Sequence, residues 1–361
     1  MKITHYKLTA IFLLFSLISF GNGPKGKYEK TKTVEKTFSV NKDAVLNIDN
    51  RYGNVDITTW QKNSIEIVVK ITVSGNKESK VIDKLNSISI ALDGNVNTVS
   101  AKTKLSNKSS SWNWLGWGNS VLSYKINYTV KMPISNALNI SNDYGSILLN
   151  ELNGNASINC DYGKLVIGSL NGSDNNININ YTNHSNIEYI ENAQINADYS
   201  GITIEKANTI NLDADYANCK FEEINHLNFD CSYGNLVANY AKIVNGDGDY
   251  FTMKFGTIEQ KLAVDSEYGS IKINRLKPNF DSVNIEAEYT GIRIGVDKRA
   301  SCTIKTSIDY GNFKYDDASF TFNKSKESNT SKYYEGYHGN AKSDATISIS
   351  SEYGNVKFYE N

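Results

Sequence analysis

The stretch Asp143–Gly172, with the sequence DYGSILLNELNGNASINCDYGKLVIGSLNG, nearly repeats itself. Each half consists of Asp-Tyr-Gly, an apolar run and Leu-Asn-Gly, and the tyrosines Tyr144 and Tyr162 are 18 residues apart. A unit of this length is too short to bury its own apolar side chains. The repetition therefore predicts units that stack and share one continuous core.

Tyrosine followed by a small or turn-forming pair recurs along most of the chain. The positions are Tyr52, Tyr144, Tyr162, Tyr181, Tyr199, Tyr216, Tyr233, Tyr268, Tyr289, Tyr310 and Tyr353. From Tyr144 to Tyr310 the spacing is 17 to 21 residues, except for one gap of 35 residues after Tyr233. That gap equals two repeats and holds two candidates for the missing position, Tyr250 and Phe255. Phe255 is preferred, because Phe-Gly-Thr-Ile continues the pattern of a turn followed by apolar residues.

The repeats, aligned on the tyrosine, alternate as a β-strand does. An apolar residue stands four positions before the tyrosine and a mostly small residue two positions before it, as in Ile158 and Cys160. This parity places the tyrosine on the inward face. Apolar residues resume three and five positions after it, and the change of phase predicts a turn at the next two positions, where Gly and Asn tolerate positive φ. Each repeat is thus strand, corner, short strand and corner, and is called a coil below.

These coils predict an all-β fold, a right-handed parallel β-helix (β-solenoid) with about 17–21 residues per coil. A β-sandwich is the alternative, although its hairpins would not repeat one turn sequence at one period. Residues 33–132 are predicted to be a β-rich N-terminal region that holds the first coil and one or two helical turns at 78–85. Residues 133–361 are predicted to be the solenoid, with an inserted loop near 323–342.

The first 21 residues are predicted to be a signal peptide, because basic residues precede a thirteen-residue apolar run, Leu8–Phe20. An uncleaved anchor is the alternative. Residues 22–32 are interpreted as a linker, and no second apolar segment of membrane length follows. The mature chain is therefore expected to contain no membrane span and to be exported, in the periplasm, at the outer surface or outside the cell.

Charge and cysteine content restrict the classes of partner. Lysine and arginine total 38, aspartate and glutamate total 39, and no basic patch stands out, so nucleic acid is not an expected partner. Cys160 and Cys231 occupy equivalent positions several coils apart, too far for a disulfide. They and the other two cysteines, Cys219 and Cys302, are predicted to be small core residues. No cofactor motif is found, and no cofactor is expected.

The chain resembles the DUF4097-type "putative adhesin" β-strand-repeat proteins of Bacteroidetes. The Tyr-Gly-Asn and Tyr-Gly-Ser repeats, the segment Asn50–Val55 and the stretch Tyr124–Pro133 carry the resemblance, which covers about residues 33–361. It implies an exported β-solenoid. The family brings no established catalytic residues that could be assigned to positions of this sequence.

The tyrosines are the first candidate site. They are either an aromatic ladder on which sugars stack or a structural ladder in which each ring packs on the next, and their parity favours the structural ladder. The ladder consists of Tyr144, Tyr162, Tyr181, Tyr199, Tyr216, Tyr233, Tyr268, Tyr289, Tyr310 and Tyr353.

An acidic residue usually precedes the tyrosine and is expected to face outward. The resulting acidic stripe includes Asp143, Asp161, Asp198 and Asp215. Divalent cations could bridge carboxylates of neighbouring coils, or the side chains could accept hydrogen bonds from turn amides. The second interpretation is favoured, because Asn180, Ser232 and Arg51 occupy the same position in other coils. No metal site is therefore predicted.

Three of the four tryptophans, Trp112, Trp114 and Trp117, lie within six residues in a Ser/Gly/Asn-rich loop. They either form an exposed tip that contacts a glycan or a protein, or fold back over the solenoid as a cap. This loop is the candidate binding site.

The expected function is that of a non-enzymatic, adhesin-like binding or structural scaffold at the cell envelope, whose partner is a glycan or an envelope or surface protein. The alternatives are a polysaccharide-active β-helix enzyme and a periplasmic partner in envelope signalling or assembly. The sequence holds no compact cluster of carboxylates with an attendant basic residue, which disfavours the enzyme. It leaves the oligomeric state open.

Overall fold

A computed structural model describes residues 26–106 and 122–361, and within these ranges the chain is all-β apart from one helix. It divides into two compact units, which meet in sequence between Gly168 and Ser169. The elements are β1 Tyr28–Ser39, β2 Val45–Arg51, β3 Val55–Trp60, β4 Ser64–Gly75, α1 Glu78–Ser87, β5 Ile88–Gly94, β6 Thr98–Leu105, β7 Ser123–Pro133, β8 Ala137–Asp143, β9 Ser146–Leu152, β10 Ala156–Asp161, β11 Lys164–Leu170, β12 Asn175–Asn180, β13 Ser185–Asp198, β14 Gly201–Asp215, β15 Asn218–Glu267, β16 Ser270–Leu276, β17 Ser282–Glu288, β18 Gly291–Val296, β19 Cys302–Asp309, β20 Phe313–Lys314, β21 Phe320–Glu327, β22 Ser331–His338, β23 Thr346–Glu352 and β24 Val356–Glu360.

The first unit arranges its strands in two series. The series that holds the strands before the tyrosine corners runs β5–β6–β2–β8–β10, and the other runs β1–β4–β7–β3–β9. The inner pairs are parallel, whereas β5–β6, β1–β4 and β4–β7 are antiparallel. Because Arg51 of β2 lies opposite Asp143 of β8, the coil at Tyr52 stacks directly on the coil at Tyr144.

The predicted N-terminal region contains the expected elements. The helical turns predicted at 78–85 are confirmed as α1, which buries Val81, and the rest of the region contains the strands β4, β5, β6 and β7. The predicted division after residue 132 does not coincide with the division at Gly168. The reason is that β8 and β9 pair with β2 and β3, and therefore belong to the first unit.

The second unit is built mainly from parallel strands whose residues stay in register from coil to coil. Ile177 lies opposite Ile195, Ile195 opposite Leu212, and Leu212 opposite Phe229. These equivalent positions are 17 or 18 residues apart, so a repeat of that length keeps apolar residues in one buried column. β15 is one continuous strand that passes through the corners at Tyr233 and Tyr250.

The last coils of the second unit depart from chain order. β23 lies between β17 and β19 and pairs in parallel with both, although it follows β19 in sequence. The residues predicted to be an inserted loop at 323–342 instead belong largely to β21 and β22, an antiparallel pair that continues from β19. The polarity that suggested a loop reflects β21, whose side chains are largely exposed, whereas β22 buries Tyr334 and His338.

The core follows the predicted alternation. The positions four and two residues before the tyrosines are buried; Ile158, Cys160 and Ala214 are examples. In most coils the positions three and five residues after them are buried too, as in Ile202 and Ile204, whereas His184 after Tyr181 is exposed. No helix among the described residues is long and apolar enough to span a membrane.

All four cysteines are free and buried, which confirms them as core residues. Burial raises the pKa of Cys160, Cys219 and Cys302 to about 12 and also raises the pKa of Cys231. Because the thiolate is the reactive form, we expect a disulfide reagent at about pH 8 to label no cysteine in the folded chain and all four in denaturant. Mass spectrometry counts the labels. Rapid labelling of any cysteine under native conditions would contradict this assignment.

Gly234 follows Tyr233 and lies against the backbone of the neighbouring coil. A Cβ at this position would lie far inside van der Waals contact with the carbonyl oxygen of Ala217. Gly234→Ala should therefore lower the free energy of unfolding by about 1–3 kcal/mol. Gly291→Ala is the matched control, since nothing lies within 4 Å of its added carbon, and its effect should be within about 0.5 kcal/mol. Urea unfolding followed by circular dichroism measures both, and equal effects would refute the close approach.

Candidate functional site

Each unit carries a column of stacked tyrosine rings at its corners. The first-unit ladder is Tyr52, Tyr144 and Tyr162. The second-unit ladder, in spatial order, is Tyr181, Tyr199, Tyr216, Tyr233, Tyr250, Tyr268, Tyr289, Tyr353 and Tyr310. Neighbouring centroids are 4.7 to 5.2 Å apart and ring planes differ by 1 to 7°. This spacing is that of adjacent β-strands, so strand pairing sets the ring stacking.

The ladder tyrosines point outward, not inward as their parity predicted. Their side chains are 36 to 59% exposed, and each has a φ between 48 and 62°. The left-handed conformation was predicted for the following Gly and Asn, but the tyrosine itself adopts it. A residue in this conformation interrupts the alternation of inward and outward side chains along the strand. Its side chain therefore does not share the inward direction of the buried residues two and four positions before it.

Two positions in the ladder differ from the prediction. Tyr250 fills the gap after Tyr233, whereas Phe255 is fully buried. Tyr353 stacks between Tyr289 and Tyr310, because β23 lies between β17 and β19.

The left-handed conformation is costly for tyrosine, and the stack opposes that cost. A non-glycine residue in the left-handed conformation costs roughly 1–2 kcal/mol relative to the right-handed one. An aromatic pair contributes about 0.5–1.5 kcal/mol beyond burial, and an inner ladder ring has two partners. The backbone also pairs at the corner, where the Tyr199 N–H donates to the Asp215 carbonyl oxygen at 2.9 Å. The corner is thus stable with tyrosine, although glycine would fit its backbone more easily.

The stacking restricts how a ligand can use the ladder. Inner rings present only their edges and hydroxyl groups, because both faces are covered by neighbouring rings. Tyr310 stacks on Tyr353 alone among the tyrosines described and is the most exposed, at 59%. At the first-unit ladder, Tyr124 meets Tyr52 edge-on at 5.0 Å. Within the second-unit ladder, the end at Tyr310 therefore offers a ring face on which a sugar can stack.

The acidic stripe is partly neutralised and uses its backbone to join coils. Arg51 Nε lies 3.2 Å from Asp143 Oδ2. Burial raises the pKa of Asp143, an effect that Arg51 opposes and Asp161 reinforces. The carbonyl oxygens of Asp161, Asp198 and Asp215 accept hydrogen bonds from ladder tyrosine N–H groups. No group of three or more His, Cys, Asp or Glu side chains suited to a metal occurs in residues 26–106 and 122–361.

Alignment on the tyrosines reveals two further columns in the second unit that the sequence interpretation missed. A second carboxylate column lies three positions before the tyrosine: Asp213, Asp230, Asp247, Asp265 and Glu286. Desolvation and the neighbours Asp265 and Asp230 raise the pKa of Asp247. The cationic column lies four positions after the tyrosine: Lys254, Lys272, Arg293, Lys357 and Lys314. The sequence signal for both columns is their fixed spacing from the tyrosine.

Two predicted features lie outside the described residues. Trp112, Trp114 and Trp117 fall within 107–121, and the signal peptide falls within 1–25. They stay predictions from sequence.

Comparisons with known proteins give distant likenesses only. No protein-family profile and no curated protein matches the chain. A "putative adhesin" from Parabacteroides distasonis is 11% identical, with 72% of this chain and 96% of that chain covered and a TM-score of 0.35. A "Putative lipid binding protein" from the same species is 13% identical, with 73% and 95% covered and a TM-score of 0.36. A "putative adhesin" from Bacteroides fragilis is 11% identical, with 91% and 97% covered and a TM-score of 0.19. With TM-scores this low, these likenesses assign no activity to this chain.

Proposed function

We propose that this chain is an exported, non-enzymatic, adhesin-like binding scaffold of the cell envelope. The observation that supports this most is the in-register pairing of successive coils, which turns one position of the repeat into a surface column of similar side chains. Such columns present the same group at intervals of about 4.8 Å. A repetitive surface suits a repetitive ligand, such as an envelope glycan or an ordered array of surface protein.

We propose that the coils of the second unit wind as a right-handed parallel β-helix, since parallel crossovers are almost always right-handed. We also place the chain with the DUF4097-type repeat proteins, on the tyrosine motifs described above. An experimental structure that shows left-handed coils would refute the first statement.

Export is tested by fractionation of the native cells. An antibody against the chain should detect it in the periplasm, the outer envelope or the medium, shortened by about 21 residues. Full-length protein confined to the cytoplasm would refute export and, with it, the envelope role.

Binding and catalysis are separated by one panel of envelope glycans. We expect the purified chain to bind members of the panel on an array and to release no reducing sugar or unsaturated product from them. Product release would support the polysaccharide-active alternative. The combined variant Trp112→Ala, Trp114→Ala and Trp117→Ala tests the tryptophan loop, and unchanged binding would remove that loop as the site.

A further inference from the structure

The cationic column joins five consecutive coils of the second unit into one line of positive charge. Lys254 lies opposite Lys272, Lys272 opposite Arg293, and Arg293 opposite Lys357, which in turn lies opposite Lys314. All five side chains are exposed. They stand on the outer face of the short strands that follow the ladder tyrosines, β16, β18, β24, β20 and the equivalent part of β15.

The five cations have no ion-pair partner within the part of the chain that the structure describes. Three lysines elsewhere in the second unit are paired: Lys206 with Glu223 at 2.8 Å, Lys277 with Glu259 at 3.0 Å, and Lys324 with Glu335 at 3.1 Å. Like charges on adjacent strands repel each other and destabilise a sheet. An external anion that lies along the column would remove this repulsion.

The surroundings leave the column open and suited to a hydroxyl-rich ligand. On the side toward the ladder stand the small residues Thr252, Ser270 and Gly291, so the column is open there. The far side holds Asn274 and Gly295, and is bordered by Tyr359, whose hydroxyl donates to the Ile273 carbonyl oxygen at 3.2 Å. The hydroxyl and amide groups on the two sides can hydrogen-bond to sugar hydroxyls.

The carboxylate columns lie on the other side of the tyrosine ladder from the cationic column, and they limit how wide an anionic ligand can be. The same coils carry carboxylates before the tyrosine, where Asp265 lies opposite Glu286 and Glu267 opposite Glu288. A duplex nucleic acid is wide and charged on all sides, so it would overlap these carboxylates. A single strand would find few base-stacking platforms, because the inner ladder rings are covered and Tyr310 offers one ring face. A narrow single chain with one anionic group per sugar avoids both problems.

We propose that the cationic column binds a linear acidic polysaccharide that lies across the coils, with its carboxylates or sulfates on the Lys and Arg head groups. The inference rests on the proposed binding role and names its ligand class. It requires no loop and no change of conformation.

The test uses the purified chain and polygalacturonate, with methyl-esterified polygalacturonate as the uncharged control ligand. The column variant is Lys254→Gln, Lys272→Gln and Lys357→Gln. The control variant removes the same charge from paired positions, Lys206→Gln, Lys277→Gln and Lys324→Gln. A third variant replaces the three column lysines by arginine.

We expect wild type, the control variant and the arginine variant to bind polygalacturonate with affinities within about threefold of one another, and to bind the ester far more weakly. The column variant should bind about tenfold or more weakly, with a smaller dependence on salt. Calorimetry at several salt concentrations measures both, and circular dichroism confirms that each variant is folded.

Three outcomes would overturn the proposal: no binding of polygalacturonate by wild type, an equal loss of affinity in the column and control variants, or tighter binding of oligo-dT than of polygalacturonate. If the column variant loses no affinity but wild type still binds envelope glycans, the column is refuted and the proposed function stands. If wild type binds polygalacturonate but no envelope component, the column is supported as an anion-binding surface and the proposed envelope function is refuted.

Discussion

Phe255→Ala is expected to lower the free energy of unfolding by about 3–5 kcal/mol. Phe255 is fully buried in the second unit, where its side chain lies opposite Ile273 of the neighbouring coil. Alanine would leave a cavity that the strands on either side cannot close without losing their register. Urea unfolding of the full chain, followed by circular dichroism, measures the change.

Tyr250→Ala is the matched comparison, because Tyr250 and Phe255 were the two candidates for the same ladder position. Tyr250 is 51% exposed and contacts its neighbours through ring stacking. Its loss should cost about 1–3 kcal/mol, the sum of two stacked pairs. Tyr250→Gly should cost less than Tyr250→Ala, because glycine relieves the left-handed backbone. A larger loss for either Tyr250 variant than for Phe255→Ala would contradict the assignment of ladder and core.

Asp297→Asn is expected to destabilise the chain by roughly 1.5–3 kcal/mol at neutral pH. The Asp297 carboxylate is buried, with 3% of its side chain exposed. It accepts hydrogen bonds from the Arg299 backbone N–H at 3.0 Å, from Arg299 Nε at 3.1 Å and from Arg275 Nε at 2.9 Å. Asparagine cannot accept all of these, and its amide group would face two guanidinium groups.

The stability difference should depend on pH with a definite sign. Arg299, and then Arg275, hold the pKa of Asp297 well below its ordinary value against the opposing effect of burial. A lowered pKa in the folded state stabilises the protein above the unfolded pKa of about 3.9. This contribution is lost progressively as the pH falls below that value.

Wild type and Asp297→Asn should therefore converge in stability as the pH falls from about 4 toward the lowered pKa. The exposed Asp281 provides the control, because its carboxylate lies 4.0 Å from the Lys261 amine and 55% of its side chain is exposed. Asp281→Asn should change stability by less than about 0.5 kcal/mol at any pH. A constant gap between wild type and Asp297→Asn from pH 7 to pH 3 would show that charge at this position does not stabilise the fold.

The regular part of this fold could be predicted from sequence because burial alternates with a fixed period. Ile158, Ile195 and Leu212 are buried for the same local reason, and one aligned position identifies them all. Strand pairing between coils follows from the same period, since 17 or 18 residues bring equivalent side chains together.

The corner could not be predicted correctly from residue preferences. Glycine is the usual residue at positive φ, so Gly163 and Gly234 were assigned that conformation. They are glycines because a Cβ would collide with the neighbouring coil, while Tyr162 and Tyr233 take the positive φ. The same reliance on glycine favoured Phe255 over Tyr250, which is followed by Phe251 and has no glycine after it.

The spatial order of the last coils was beyond the reach of spacing alone. Tyr268, Tyr289 and Tyr310 are evenly spaced and suggest simple succession, yet Tyr353 lies between the last two. The explanation lies in the two neighbours of β19. One edge of β19 pairs with β22, which in turn pairs with β21, and the other edge pairs with β23.

This arrangement of β23 has a consequence for how the second unit folds. β17 and β19 are consecutive strands of their series in sequence, but a later strand separates them. Coils that form one after another from the N-terminal side would bring β19 onto β17 and occupy the site of β23. The native order therefore requires that β19 and its partner β22 do not pair with β17 before β23 has paired with β17. We therefore expect a slow final folding step with a competing misregistered product, in contrast to the simple one-directional growth that stacked repeats otherwise permit.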